Sequence, residues 1–268
     1  MRQRWLIALG LAVFVLGLLA AAPIATLYAW VRPKEPPPQT LLMGLQGTLH
    51  EGRIAGVVSN NRTVLTDLHW RLHPLWLLGG RFAAHIDGGG SDVQLDGGVS
   101  VTPAGTVRFR DLRANAGLKA LLGAFGYPFL PLDGKAALNL QRLTLKDGVP
   151  QAATGNGMIQ NLAYTLSRDP IVFGDFQIDL STEGDAVLAK LASIAGPLEV
   201  NGEARVQDDG AYESLIKIKP KPEANPMLRN LVGSLGAPDL QGWYTLKRAG
   251  QLHPKPPVAP AKGAPPKP

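Results

Sequence analysis

The chain has 268 residues, with 31 Gly, 23 Pro, no Cys and a formal charge of +6. Seven of its 27 cationic residues, but only one of its 21 acidic ones, lie in the first forty residues and the tail after Gly250, which leaves 20 of each sign between. A nucleic-acid binder carries its basic stripe on the fold itself, so this distribution argues against one, and the absence of Cys excludes disulfides and thiolate metal sites.

The first predicted element is a membrane anchor. No charged residue interrupts Trp5 to Val31, and about 20 apolar helical residues span a bilayer core. Trp5 stands at one end of the run and Tyr28 and Trp30 at the other, where amphipathic rings settle at the interface. Arg2 and Arg4 precede the run. The positive-inside rule then leaves residues 1–4 in the cytoplasm and everything after Val31 outside the inner membrane. The alternative is a cleaved signal peptide at Ala20-Ala21-Ala22, but Pro23 follows the candidate site and the run exceeds the usual signal core. Residues 32–40, opening RPKEPPP, form a stiff extended spacer.

From residue 41 to 250 the sequence alternates with a two-residue period. The phrases TVLTDLHWRL, FAAHID, VQLDGGVSV, TVRFRDL, KAALNLQRLTL, FQIDLS, LEVNGEARV and AYESLIKIK are separated by Gly, Asn, Asp and Pro. That is the pattern of many short antiparallel strands. Two stretches break it. NAGLKALLGAFG offers Asn115 as N-cap and Gly126 past the end, and NPMLRNLVGSLG offers Asn225, Pro226 and Gly236 in the same roles, so two short helices are expected. The last segment, residues 251–268, is rich in Pro and Lys and cannot build a core.

One phrase is written twice. VQLDGGVSVTPAG (Val93 to Gly105) aligns without a gap on LEVNGEARVQDDG (Leu198 to Gly210), placing Asp96 on Asn201, Gly97 on Gly202 and Val101 on Val206. The helices extend the match, Leu118, Leu121 and Leu122 having the spacing of Leu228, Leu231 and Val232, and Gly134 falls with Gly242. The expected fold is mainly β (α+β): a transmembrane helix, then an antiparallel strand-rich periplasmic domain of two related halves, about 41–145 and 146–250. Each half carries a short helix, and the halves are stacked so that each covers the other's apolar face.

No stretch carries a recognisable catalytic motif. Gly88-Gly89-Gly90 and Gly155-Asn156-Gly157 are expected to be turns rather than phosphate cradles. His69 and His73 would share a face on a helix, but on a strand four residues cover about 13 Å, too far for one metal ion. Asp208-Asp209-Gly210 is a hairpin signal, and Asn61-Arg62-Thr63 fits a glycosylation sequon. Leu75 to Leu78 (LWLL) is the one run too apolar for an alternating strand, either core or an exposed patch. No catalytic, cofactor-binding or metal-binding residue is assigned, and an envelope hydrolase would need convergent polar groups that the sequence does not display.

The residues resemble a known family. GTLHEGRIAG (Gly47 to Gly56) is similar to the GTLWxG phrase of type II secretion system protein N, with His50 where that family often has Trp. LHWRLHPLWLLGGRFAAHI (Leu68 to Ile86) and the segment from Leu228 to Leu246 resemble two further motifs of that family, in the same order. The resemblance implies a non-catalytic inner-membrane accessory component of the general secretion pathway, without cofactor, whose partners are other secretion-system components: the inner-membrane platform or the secretin. A more distant likeness to AsmA-like proteins implies the alternative, envelope lipid handling.

Overall fold

A computed structural model describes residues 23–25, 40–59, 62–73, 81–90, 92–124, 127–166 and 169–252. Apart from Pro23 to Ala25, the expected anchor lies outside these residues, as do the spacer up to Gln39, the LWLL run, Asn61 and the tail beyond Leu252. Among the described residues no helix is long and apolar enough to cross a membrane.

Thirteen strands account for most of the described residues. They are β1 (Thr40–Gly47), β2 (Glu51–Ser59), β3 (Arg62–Leu72), β4 (Phe82–Gly89), β5 (Val93–Val101), β6 (Thr106–Gly117) and β7 (Leu132–Lys146). They continue with β8 (Val149–Tyr164), β9 (Ile171–Glu183), β10 (Ala186–Ala195), β11 (Leu198–Gln207), β12 (Ala211–Pro220) and β13 (Tyr244–Gln251). Among the described residues two short helices interrupt them: α1 (Leu118–Ala124) between β6 and β7, and α2 (Pro226–Gly233) between β12 and β13. Each strand pairs with the next, so the sheet runs β1 to β13 in chain order, with antiparallel pairing throughout.

The strands are longer than a single alternation can fill, because bulges reset its phase. In β6, Val107 and Phe109 face Leu145 and Leu143 of β7, whereas Leu112 and Ala114 face Leu140 and Leu138. Asp111 lies between the two sets with φ 49°. An extra residue there returns the next apolar side chain to the same face. Asp67 in β3 (φ 59°) and Asn161 in β8 (φ 52°) do the same. Asp and Asn enter the left-handed region with less strain than most residues, which is why the resets fall on them. Gly155-Asn156-Gly157 is accordingly not a turn. It lies inside β8, paired with Leu180, Asp179 and Ile178 of β9, and Gly155 is needed because a Cβ would run into the Asn139 carbonyl.

Over β9 and β11 the apolar face is covered by α2. Leu228 and Val232 pack on Ile171 and Phe176 of β9 and on Leu198 and Val200 of β11. The helix starts as its sequence dictates: Asn225 Oδ1 accepts from the Met227 N–H at 2.8 Å, and Pro226 follows at the first position. The sheet also coils, so that β8 approaches β10 and β11 and Gln151 Nε2 donates to the Asp208 carbonyl at 2.9 Å. Two expectations change here. Asn115 is not an N-cap; it pairs with Gln94 and Ala137 inside β6, because ladder hydrogen bonds satisfy its backbone before a helix can start. The segments expected to stack run on in one continuous sheet, so a helix rather than a second sheet supplies the cover. The succession strand, hairpin, strand, helix, strand nonetheless occurs twice, as β5–β6–α1–β7 and β11–β12–α2–β13.

The loop after α2 turns on one carboxylate. Asp239 Oδ1 accepts from the N–H groups of Gln241 and Trp243, each at 2.9 Å. The Trp243 N–H bond is the main cause holding the Asp239 pKa below its ordinary value, against some desolvation. A depressed folded-state pKa gives the turn a contribution that is present above the ordinary carboxylate range and is lost as pH falls through the folded value. An NMR titration is expected to find the Asp239 carboxyl ionised below the ordinary aspartate range, about 3.9 in model peptides, with the Trp243 amide shift following it. A midpoint at or above that range would contradict the assignment.

Candidate interaction surfaces

The sheet offers two edges and two faces. The edges are β1 and β13, and an edge strand presents a row of unpaired backbone groups to an incoming strand. They are not equivalent. β13 (YTLKRAGQ) carries Lys247 and Arg248, the kind of charge that deters pairing, whereas β1 (TLLMGLQG) carries no charge. Met43 of β1 is 58% exposed. Among the described residues β1 is therefore the edge better suited to accept a partner strand.

The apolar face is well buried only in part. Beneath α2 it is closed, but across β3 to β6 its members Leu68, Trp70, Ile86, Leu95 and Phe109 are only half-buried. Trp70 is fixed by donating Nε1–H to the Leu49 carbonyl at 3.2 Å.

The polar face is laced by exposed pairs. His69 of β3 lies between Asp67 (3.6 Å) and Asp87 of β4 (3.5 Å), and Arg53 of β2 pairs with Asp67. His85 Nε2 meets Asp96 Oδ2 at 3.0 Å, and Arg205 meets Glu183 at 3.2 Å. Such half-exposed pairs contribute at most about 1 kcal/mol each. His73 lies one residue beyond β3, its N–H bonded to the Ala83 carbonyl, so it is not brought to His69. Among the described residues no three His, Asp or Glu side chains are grouped to hold a metal ion. Asp208 and Asp209 lie in the β11–β12 hairpin, where Asp209 Oδ1 accepts from the Ala211 N–H at 2.8 Å and Gly210 has φ 87°. They are turn formers here. Gly88 and Gly89 end β4, and Gly90 N–H bonds to the Val93 carbonyl to close its hairpin with β5.

One feature of this face is invisible without the register. The phrase VRFRD puts Arg108 and Arg110 on one face of β6, but only the pairing with β7 brings Arg142 opposite Arg110.

A family model described as "Type II secretion system (T2SS), protein N" matches residues 38–247. Among curated proteins, type II secretion system protein N of Aeromonas hydrophila is 29% identical over 264 residues, covering 94% of this chain and 100% of the relative. No solved structure matches.

Proposed function

The chain belongs to the type II secretion system protein N family, and from that membership we propose that it is a non-catalytic accessory component of the type II apparatus, held in the inner membrane of a Gram-negative bacterium. A role in type II secretion follows from the family. In this proposal the protein crosses the membrane once, with its N-terminus in the cytoplasm and its strand domain in the periplasm. The apolar run from Trp5 to Val31, with Arg2 and Arg4 before it, supports that topology.

The observation that carries the interaction role is the uncharged, exposed edge β1. It follows directly on the spacer, so a partner strand would be added at the part of the domain nearest the anchor. The eight residues from Arg32 to Gln39 reach at most about 28 Å when extended. Thr40 lies at the same row of strand ends as α1 and α2. Pro23, inside the apolar run, bridges to Thr48 just past the far end of β1, so the run also reaches the end that carries the β5–β6, β7–β8, β9–β10 and β11–β12 hairpins. The doubled phrase is read as an internal duplication whose two copies extend one sheet side by side.

A second reading, envelope lipid handling of the AsmA-like kind, is favoured by the half-buried apolar face of β3 to β6. The two readings separate on extraction. The tagged full chain, taken from its native membrane in mild detergent, is expected to bring down secretion-system inner-membrane components or the secretin. Met43→Lys, which puts a charge on the β1 edge, is expected to reduce that recovery to background while leaving the fold intact by circular dichroism. Stoichiometric lipid surviving the washes, with no secretion component, would overturn the first reading in favour of the second.

A further inference from the structure

Four guanidinium groups gather at the corner of the polar face farthest along the strands from Thr40. Across β4 to β7 one row reads His85, Gly98, Arg110, Arg142, each directly opposite the next. The adjoining row reads Ala83, Ser100, Arg108, Thr144. Arg81 precedes β4 and His73 follows β3 at the same end. His73, Arg81, His85, Ser100, Arg108 and Arg110 line a single concavity whose wall contains no acidic residue.

Folding does not call for this arrangement. Like charges directly opposite each other in a sheet are destabilising. The described ion pairs use Arg53, Lys119 and Arg205, and among the described residues no side-chain partner is found for Arg81, Arg108, Arg110 or Arg142. Of the neighbouring carboxylates, Asp96 is taken by His85 at 3.0 Å, and Asp111 follows Arg110 in the bulge of β6. Gly98 leaves the row open between His85 and Arg110: a Cβ there would meet only the Arg110 carbonyl at 3.5 Å and the Arg110 Cβ at 3.9 Å. Several unpaired forks around an open floor are suited to two-pronged contacts with carboxylate or phosphate groups.

We propose that this corner is a cradle for an acidic peptide segment of a partner protein. The choice of a protein over a lipid headgroup rests on the row itself, which crosses four strands and so spans about 14 Å, a length that an extended peptide follows and a single headgroup does not. An extended acidic segment lying across β4 to β7 would meet His85, Arg110 and Arg142 in succession, with Arg108 and Arg81 beside it.

The test is fluorescence anisotropy of a labelled oligoglutamate peptide titrated with the full chain in detergent. Arg110→Gln and Arg142→Gln are each expected to weaken binding about tenfold, the worth of one charge-assisted contact. Arg110→Lys should retain part of the binding. Lys217→Gln, a cation of β12 remote from the row, should leave it unchanged. The melting temperature of the Gln variants should stay the same or rise, since a repulsion is relieved. Equal losses in Lys217→Gln would mean general charge attraction and would overturn the cradle. So would full competition by inorganic phosphate, or preferential binding of phosphatidylglycerol vesicles, which would identify a phosphate or headgroup site instead. Co-purification of secretion components by the same Gln variants keeps the two conclusions apart. Lost peptide binding beside intact recovery leaves the secretion role standing and confines the cradle to a different acidic partner, whereas peptide binding unaffected by the Gln variants defeats the cradle alone.

Discussion

Leu228→Ala is expected to destabilise the strand domain by about 3 kcal/mol, within the range for emptying a fully buried leucine site. Leu228 is 1% exposed and packs in the cluster with Phe176, Leu198 and Val200. Because α2 closes the apolar face of β9, β11 and β12, the loss would reach beyond one side chain and loosen the lid on that part of the sheet. A domain of about 200 residues loses roughly 2–4 °C of melting temperature per kcal/mol, so a drop of about 6–12 °C is anticipated by calorimetry. Leu231→Ala, on the outer side of the same helix at 42% exposure, should shift it by only a small fraction of that. Equal effects of the two would mean that α2 is not packed as described.

Gly174→Ala is the second large effect, again about 3 kcal/mol. Gly174 of β9 has φ +118°, outside what an L side chain readily adopts, and a Cβ there would run into the Ala195 carbonyl and approach the Gly196 Cα at 3.0 Å. Gly196, with φ +108°, meets Gly174 from the other side. The two glycines let β9 and β10 close where the register slips between Ser193 and Ala195. Backbone strain and overpacking each contribute about 1–3 kcal/mol in such cases. Gly184→Ala provides the contrast. That residue also has positive φ, +60°, but nothing lies within 4 Å of its added Cβ, so only the conformational part, about 1 kcal/mol, should appear in urea unfolding.

Much of this architecture can be read in the sequence, and the failures have physical causes. The strands with plain alternation, such as VQLDGGVSV in β5 and LEVNGEARV in β11, declare themselves because one face is polar and the other apolar. β8 does not: its two phase resets and its Gly155-Asn156-Gly157 look like turn chemistry until β7 and β9 are laid on either side. β10 (AVLAKLASIA) hides because its first three residues are all buried, so no alternation starts it. Asn115 has the composition of a cap, but strand pairing outweighs it. Asn225, free of any ladder, keeps the role its sequence announces. The interaction surfaces were less legible. That β1 is an edge, and that Arg110 meets Arg142, are properties of order and register, which one strand's sequence does not contain.

The central claim is that the chain serves type II secretion by physical association through its strand domain. The most direct test measures exoprotein in the medium and in the periplasm of a strain lacking the chain, complemented with the natural sequence or with Met43→Lys. Periplasmic retention without the chain, restored export with the natural sequence and continued retention with the edge variant are the expected results. Full export in the strain lacking the chain would contradict the account.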